Sequence, residues 1–179
     1  MVITGFVTES NAQTRTWAEM VSNIYEEEVA PQFNIFTGRN ITAKNSVFLF
    51  ATVTDEWAEA LIGFSTSPRS GVEISLGVGI ETHEKPWRSL LSVWLGNNKR
   101  SLLMMGEKGG SGNWYMLVAS ETIHPNLKIG AHAQRFVGIG PRLDIRLKES
   151  LNFWIVPVAW DFENNGAKSA VLALNVTIQ

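Results

Sequence analysis

The sequence contains no cysteine. Disulfide frameworks, thiolate metal ligands and cysteine nucleophiles are excluded together, although an oxidising compartment is not, because such a compartment permits disulfides without requiring them. Charge is sparse and balanced. There are 15 Lys and Arg against 17 Asp and Glu, which leaves no basic surplus to grip a phosphate backbone, so nucleic acid is not an expected partner. No stretch approaches the roughly 18–20 consecutive apolar residues of a membrane-crossing helix. The longest mostly apolar run is Val47–Val53. Met1–Ser10 lacks the basic head and apolar segment of a secretory leader, which leaves either a cytoplasmic chain or one whose leader has been removed. What is present is a 45% hydrophobic content over 179 residues. That is enough for one domain with a core and is far from a disordered composition. Fifteen glycines and seven tryptophans are high counts for such a chain.

Near the start, Trp17, Met20, Val21, Ile24 and Tyr25 recur at helical spacing. Thr16 and Glu19 form a capping-box pair at the start of this run, while Glu26–Glu28 and Pro31 stop it. This pattern predicts a short amphipathic helix over about residues 16–28, within an N-terminal segment 1–30 that precedes a strand-forming part, 31–179. The whole reads as a single domain.

Beyond Pro31 the period changes to two. Val72, Ile74, Leu76, Val78 and Ile80 alternate with Glu73, Ser75, Gly77, Gly79 and Glu81. Leu143, Ile145 and Leu147 alternate with Arg142, Asp144, Arg146 and Lys148, and Leu127, Ile129, Ala131 and Ala133 with Lys128, Gly130, His132 and Gln134. Val47–Val53, Leu102–Met105 and Phe153–Trp160 are apolar on both faces. Turn signals such as Ser70-Gly71, Asn97-Asn98, Gly109-Gly110-Ser111-Gly112 and Pro125-Asn126 recur at short intervals. Gaps this short pair neighbours antiparallel and leave no room for crossover helices. The expectation is an all-β, up-and-down antiparallel meander of about ten strands, or up to twelve if Gln32–Gly38 and Val2–Thr8 contribute. Closing it into a barrel removes its edges.

Alternation alone does not say which face is inside. In a soluble barrel or sandwich the apolar face is the core, a form suited to binding a lipophilic small molecule. In a membrane barrel the apolar face meets lipid. Three features favour the membrane form. The polar face carries Gly and Ser more than Lys and Glu, several strands reach the roughly 9–11 residues that span a bilayer, and aromatics gather near inferred strand ends. These are Trp57, Trp87, Trp114, Tyr115, Phe136, Trp160 and Phe162.

Gly71–Glu81, the Gly-Gly-Ser-Gly-Asn-Trp-Tyr segment at 109–115 and the Arg-Phe-Val-Gly-Ile-Gly-Pro-Arg segment at 135–142 resemble small bacterial outer-membrane β-barrel proteins. The resemblance covers about residues 31–179. It implies location in the outer membrane of a Gram-negative bacterium, membrane lipid as a partner, and a porin-like or structural role with passive passage of small solutes. A helix before a barrel is also similar to the outer-membrane palmitoyltransferases, but no catalytic motif of theirs is present.

The candidate lumen-lining residues are Glu73, Glu81, Lys128, His132, Gln134, Arg142, Asp144 and Arg146. If enclosed, charges of both signs must pair or stay hydrated, forming either a plug or the wall of a narrow aqueous path. An enzyme would have to use His132 beside Glu73 or Glu81 as a base, and no catalytic residue is assigned. His83 and His124 sit in turn-like segments, no zinc-ligand spacing occurs, and no cofactor or metal is expected.

Overall fold

In the computed structural model, residues 14–25, 28–158, 160 and 170–178 are described. Twelve strands run in sequence: β1 (Thr14–Ile24), β2 (Val29–Asn40), β3 (Asn45–Thr54), β4 (Ala58–Arg69), β5 (Val72–Glu81) and β6 (Trp87–Gly96), then β7 (Arg100–Gly109), β8 (Gly112–His124), β9 (Leu127–Gln134), β10 (Gly138–Lys148), β11 (Leu151–Pro157) and β12 (Ala170–Ile178). Each pairs antiparallel with its neighbours in sequence, and β1 pairs with β12 from Thr16↔Ile178 to Ile24↔Ala170. The sheet is a closed barrel.

The expected helix at 16–28 is not there. Among the described residues there is no helix, and Thr16–Ile24 lies within β1. The helical spacing of its apolar residues mixes two strand faces. Trp17 and Val21 point inward and are buried, while Met20 is 58% exposed on the outside. Glu19 is the deciding residue. It lies on the inward face between Trp17 and Val21, where Trp154 and Asn34 donate hydrogen bonds to its carboxylate. Pairing with β2 on one edge and β12 on the other satisfies the backbone of β1, and tertiary context overrides a weak local helical preference. Gln32–Gly38 falls within β2, and Val2–Thr8 lies outside the described residues.

The expected alternation holds in β5, β9 and β10. In β5, Leu76, Val78 and Ile80 are 60–64% exposed while Glu81 is 5% exposed, so the greasy face is the outer one. Residues of the same kind cover the outside around the barrel, among them Ile35, Leu49, Ile62, Leu91, Leu117 and Ile129. Strands apolar on both faces supply this belt and also fill the interior. Phe48, Leu61, Leu90, Leu103, Met105, Met116 and Val118 form one interior cluster, and Val21, Trp154, Val156, Val171 and Ala173 belong to a second.

Inward-facing glycines permit the tight curl. A Cβ built at Gly79 would strike the Ala60 carbonyl, and one at Gly130 would strike that of Ala119. The three register shifts lie at Thr66/Arg69, Thr122/His124 and Arg146/Lys148, all at the rim where β1 begins. Connections at that rim are short. The opposite rim carries the longer ones, including 82–86 and the link from Pro157 to Ala170. Short turns at one end and longer loops at the other are the asymmetry of outer-membrane barrels.

Candidate functional site

The barrel interior is the candidate site, and period-two geometry decides what it contains. In β9 and β10, Lys128 pairs with Asp144, Gly130 with Arg142 and His132 with Gly140, so the charged residues of both strands share the inward face. Arg142 is fully buried. Its Nε donates to Asp144 Oδ2 at 3.0 Å and its Nη2 to Oδ1 at 2.8 Å, while its guanidinium carbon lies 4.0 Å from the Trp154 ring centroid. Nη1 approaches His132 Nδ1 at 3.3 Å. Arginine only donates, so Nδ1 accepts and the proton of His132 sits on Nε2, which faces Gln134 Oε1 at 3.1 Å. Trp154 Nε1 donates to Glu19 Oε1 at 2.8 Å, and Asn34 Nδ2 donates to Glu19 Oε2 at 3.0 Å. Thr52 and Gln32 close the network on Asn34. Two hydrogen-bonded groups, one on β9 and β10 and one on β11, β1, β2 and β3, thus meet where Arg142 and His132 stack on Trp154.

A second cluster lies under the longer loops. Arg88 of β6 contacts three carboxylates. Nη2 donates to Glu107 Oε2 at 2.7 Å, Nη1 meets Glu81 Oε2 at 3.0 Å, and Glu59 Oε2 lies 2.9 Å from Nε without an aligned hydrogen bond. The guanidinium carbon is 5.2 Å from the Trp57 ring centroid. All four charged side chains are at most 4% exposed. Both buried arginines are therefore held in place by acids, and neither projects as a free cation into an open channel.

The sequence-expected lining residues all occupy the inward register. His132, Gln134, Arg142 and Asp144 are brought together. Lys128 faces the charges of Asp144, Arg146 and Arg142, and Glu73 has Arg15 of β1 as its charged neighbour. Glu81 belongs to the Arg88 cluster, and the ring nitrogens of His132 face Gln134 and Arg142 rather than either Glu73 or Glu81. Among the described residues no group of three His, Asp or Glu is arranged to hold a metal ion.

Sequence reasoning missed Glu19, Asn34, Glu59, Arg88, Glu107 and Trp154. Glu59 and Glu107 each carried a usable signal, a single acid at one parity of an otherwise apolar strand. Of the aromatics, Trp87, Tyr115, Phe136 and Trp160 are exposed at the long-loop end, forming a girdle of the kind found at a bilayer interface. Trp57 and Trp114 instead point inward, and Phe162 lies outside the described residues. Arg135 lies in the β9–β10 turn, where it stacks on Phe136 at 4.5 Å and donates to the Asn113 carbonyl.

An apolar outer belt, a girdle of aromatic side chains and a polar network inside are the features of a barrel that spans a bilayer. Solved structures share the fold. The chain is similar to a KdgM porin at a TM-score of 0.60 and 9% identity, covering 91% of this chain and 98% of that one. It is similar to a NanC porin at 0.57 and 4% identity, covering 90% and 99%. The KdgM porin has also been solved in complex with disordered oligogalacturonate, again at a TM-score of 0.60 and 9% identity, covering 91% and 98%. No protein-family profile matches the sequence, and no curated protein matches it.

Proposed function

We propose that this protein is a small porin-type barrel of a Gram-negative outer membrane that passes small solutes through a narrow lumen. The observation that carries this reading is the opposition of the two faces: Leu76, Val78 and Ile80 outside, Glu81 and the Arg88 and Arg142 clusters inside. A soluble barrel would reverse that arrangement. The fold shared with KdgM and NanC porins supports the membrane reading, and the oligogalacturonate complex of KdgM makes oligosaccharides the first solutes to try.

The filled interior argues for slow, size-limited passage. Arg142, Leu61, His132 and Val156 are all under 2% exposed, so a solute passes only beside side chains already in contact. The same filling favours a second reading, a closed structural barrel. Refolding into phospholipid vesicles and following swelling with sugars of increasing size separates the two. The porin reading expects detergent-dependent solubility and uptake of monosaccharides well above that of larger oligosaccharides. Full insertion with no flux above empty vesicles would leave the structural role, and a stable monomer without detergent would end the membrane reading altogether.

A further inference from the structure

On the outer wall, a groove of about 750 Å³ crosses β4 to β7. That volume lies within the roughly 300–1,000 Å³ range of small-molecule sites. Its walls are outward side chains, Ile62 and Phe64 of β4, Leu76 and Val78 of β5 and Leu91 of β6. Its floor opens where β7 has Gly106 on the outer face. A Cβ placed there would meet nothing within 4 Å, so the missing side chain is what leaves the backbone bare. The groove ends at Lys108, two residues along the same face, beside Ser89, whose hydroxyl donates to the Lys108 carbonyl.

Lys108 is exposed, and among the described residues no carboxylate lies within ion-pair distance of it. On the same face of β7, Arg100 marks the other end of the strand, and it is paired with Glu121 at 3.2 Å. The outward ladder of β7 thus reads Arg100, Leu102, Met104, Gly106, Lys108: a charge at each edge of the hydrocarbon belt, one neutralised and one not. Lys108 stands at the level of the Trp87 and Tyr115 girdle, where lipid headgroups lie. A lone ammonium ion at that depth calls for an anionic partner, and the groove that leads away from it is apolar.

We propose that this groove is a binding site for a single anionic amphiphile, a lipid whose phosphate meets Lys108 and whose acyl chain lies across Gly106 against Leu76 and Leu91. The occupant is a phospholipid, and a phosphorylated glycolipid of the same charge is the alternative that the test excludes. The inference rests on the bilayer-spanning reading, which fails separately if the protein needs no detergent.

The test is native mass spectrometry of delipidated full-length protein in mild detergent, titrated with phosphatidylglycerol, a phosphorylated glycolipid or phosphatidylcholine. One phosphatidylglycerol is expected to remain bound at concentrations where phosphatidylcholine, tenfold higher, does not. Tighter retention of the phosphorylated glycolipid would overturn the assignment to a phospholipid. Lys108→Gln should abolish the preference for anionic lipid. Gly106→Leu, which fills the groove, should weaken binding of both phospholipids about tenfold while leaving the barrel folded by circular dichroism. Equal retention of the two phospholipids, or an unchanged preference in Lys108→Gln, would overturn the proposal. So would a dimer that Gly106→Leu dissociates, which would assign the groove to a second copy of the chain.

Discussion

Ser111 grips both oxygens of Glu81 across thirty residues of sequence: its backbone N–H donates to Oε1 at 2.8 Å and its hydroxyl to Oε2 at 2.6 Å. The β7–β8 turn is thereby anchored to the end of β5, and the same carboxylate meets Arg88. Ser111→Ala removes two charge-assisted hydrogen bonds, the hydroxyl's donation to Glu81 Oε2 and its acceptance from Arg88 Nη1 at 3.0 Å, with an expected loss of about 1.5–3 kcal/mol for each. Urea unfolding in detergent micelles, followed by tryptophan fluorescence, measures it. Ser111→Thr keeps the hydroxyl and is expected to lose less.

The Arg88 cluster holds three acids and one base, so its members are not equivalent. Glu59→Gln removes the acid that lacks an aligned bond to Nε and is expected to change stability by less than about 1 kcal/mol. Arg88→Gln leaves buried carboxylates without their cation and is expected to cost about 3–5 kcal/mol. Denaturation midpoints of the two variants, compared in the same detergent, decide whether this ordering holds.

Arg142 and Asp144 should show strong coupling. Arg142→Leu alone strands a buried carboxylate, with an expected loss of about 3–5 kcal/mol. Adding Asp144→Asn should recover a large part of it. A double-mutant cycle with no coupling beyond about 0.5 kcal/mol would contradict the bidentate pair seen here.

On the outside, Leu76→Arg places a charge in the apolar belt. For a residue facing lipid, the expected cost is about 2–4 kcal/mol, with the barrel still assembled. A variant unable to fold in any detergent would place Leu76 in a core instead.

The absence of cysteine gives a clean background for scanning β1. Single cysteines at residues 16–22 should be labelled by a lipid-soluble maleimide at 16, 18, 20 and 22 and protected at 17, 19 and 21. A pattern repeating every three to four residues would restore the helix that the sequence suggested.

Most of the barrel was legible because period-two alternation over ten residues is a strong signal, and β5 shows it without interruption from Val72 to Glu81. Which face met lipid was readable only from secondary clues, since the pattern is the same turned inside out. The first strand was misread because Trp17, Met20, Val21 and Ile24 satisfy a helical period while also occupying alternate strand faces. Glu19, which decides the matter, finds its partners in β2 and β11, and local sequence cannot show them. The Arg142 group was visible as alternating charges on two neighbouring strands. Of the Arg88 group only Glu81 was, because its members come one each from four strands and are brought together by cross-strand register, as in the pair Glu59↔Glu81.

The seam between β1 and β12 joins the first described strand to the last, from Thr16↔Ile178 to Ile24↔Ala170. Until those two edges meet, each carries a row of unpaired amide and carbonyl groups that hydrocarbon cannot solvate. Partly built sheets are therefore poor intermediates inside a membrane. Zipping this join and crossing into the lipid are expected to be one concerted event, and a chain shortened by its final strand would be left stranded at the water side.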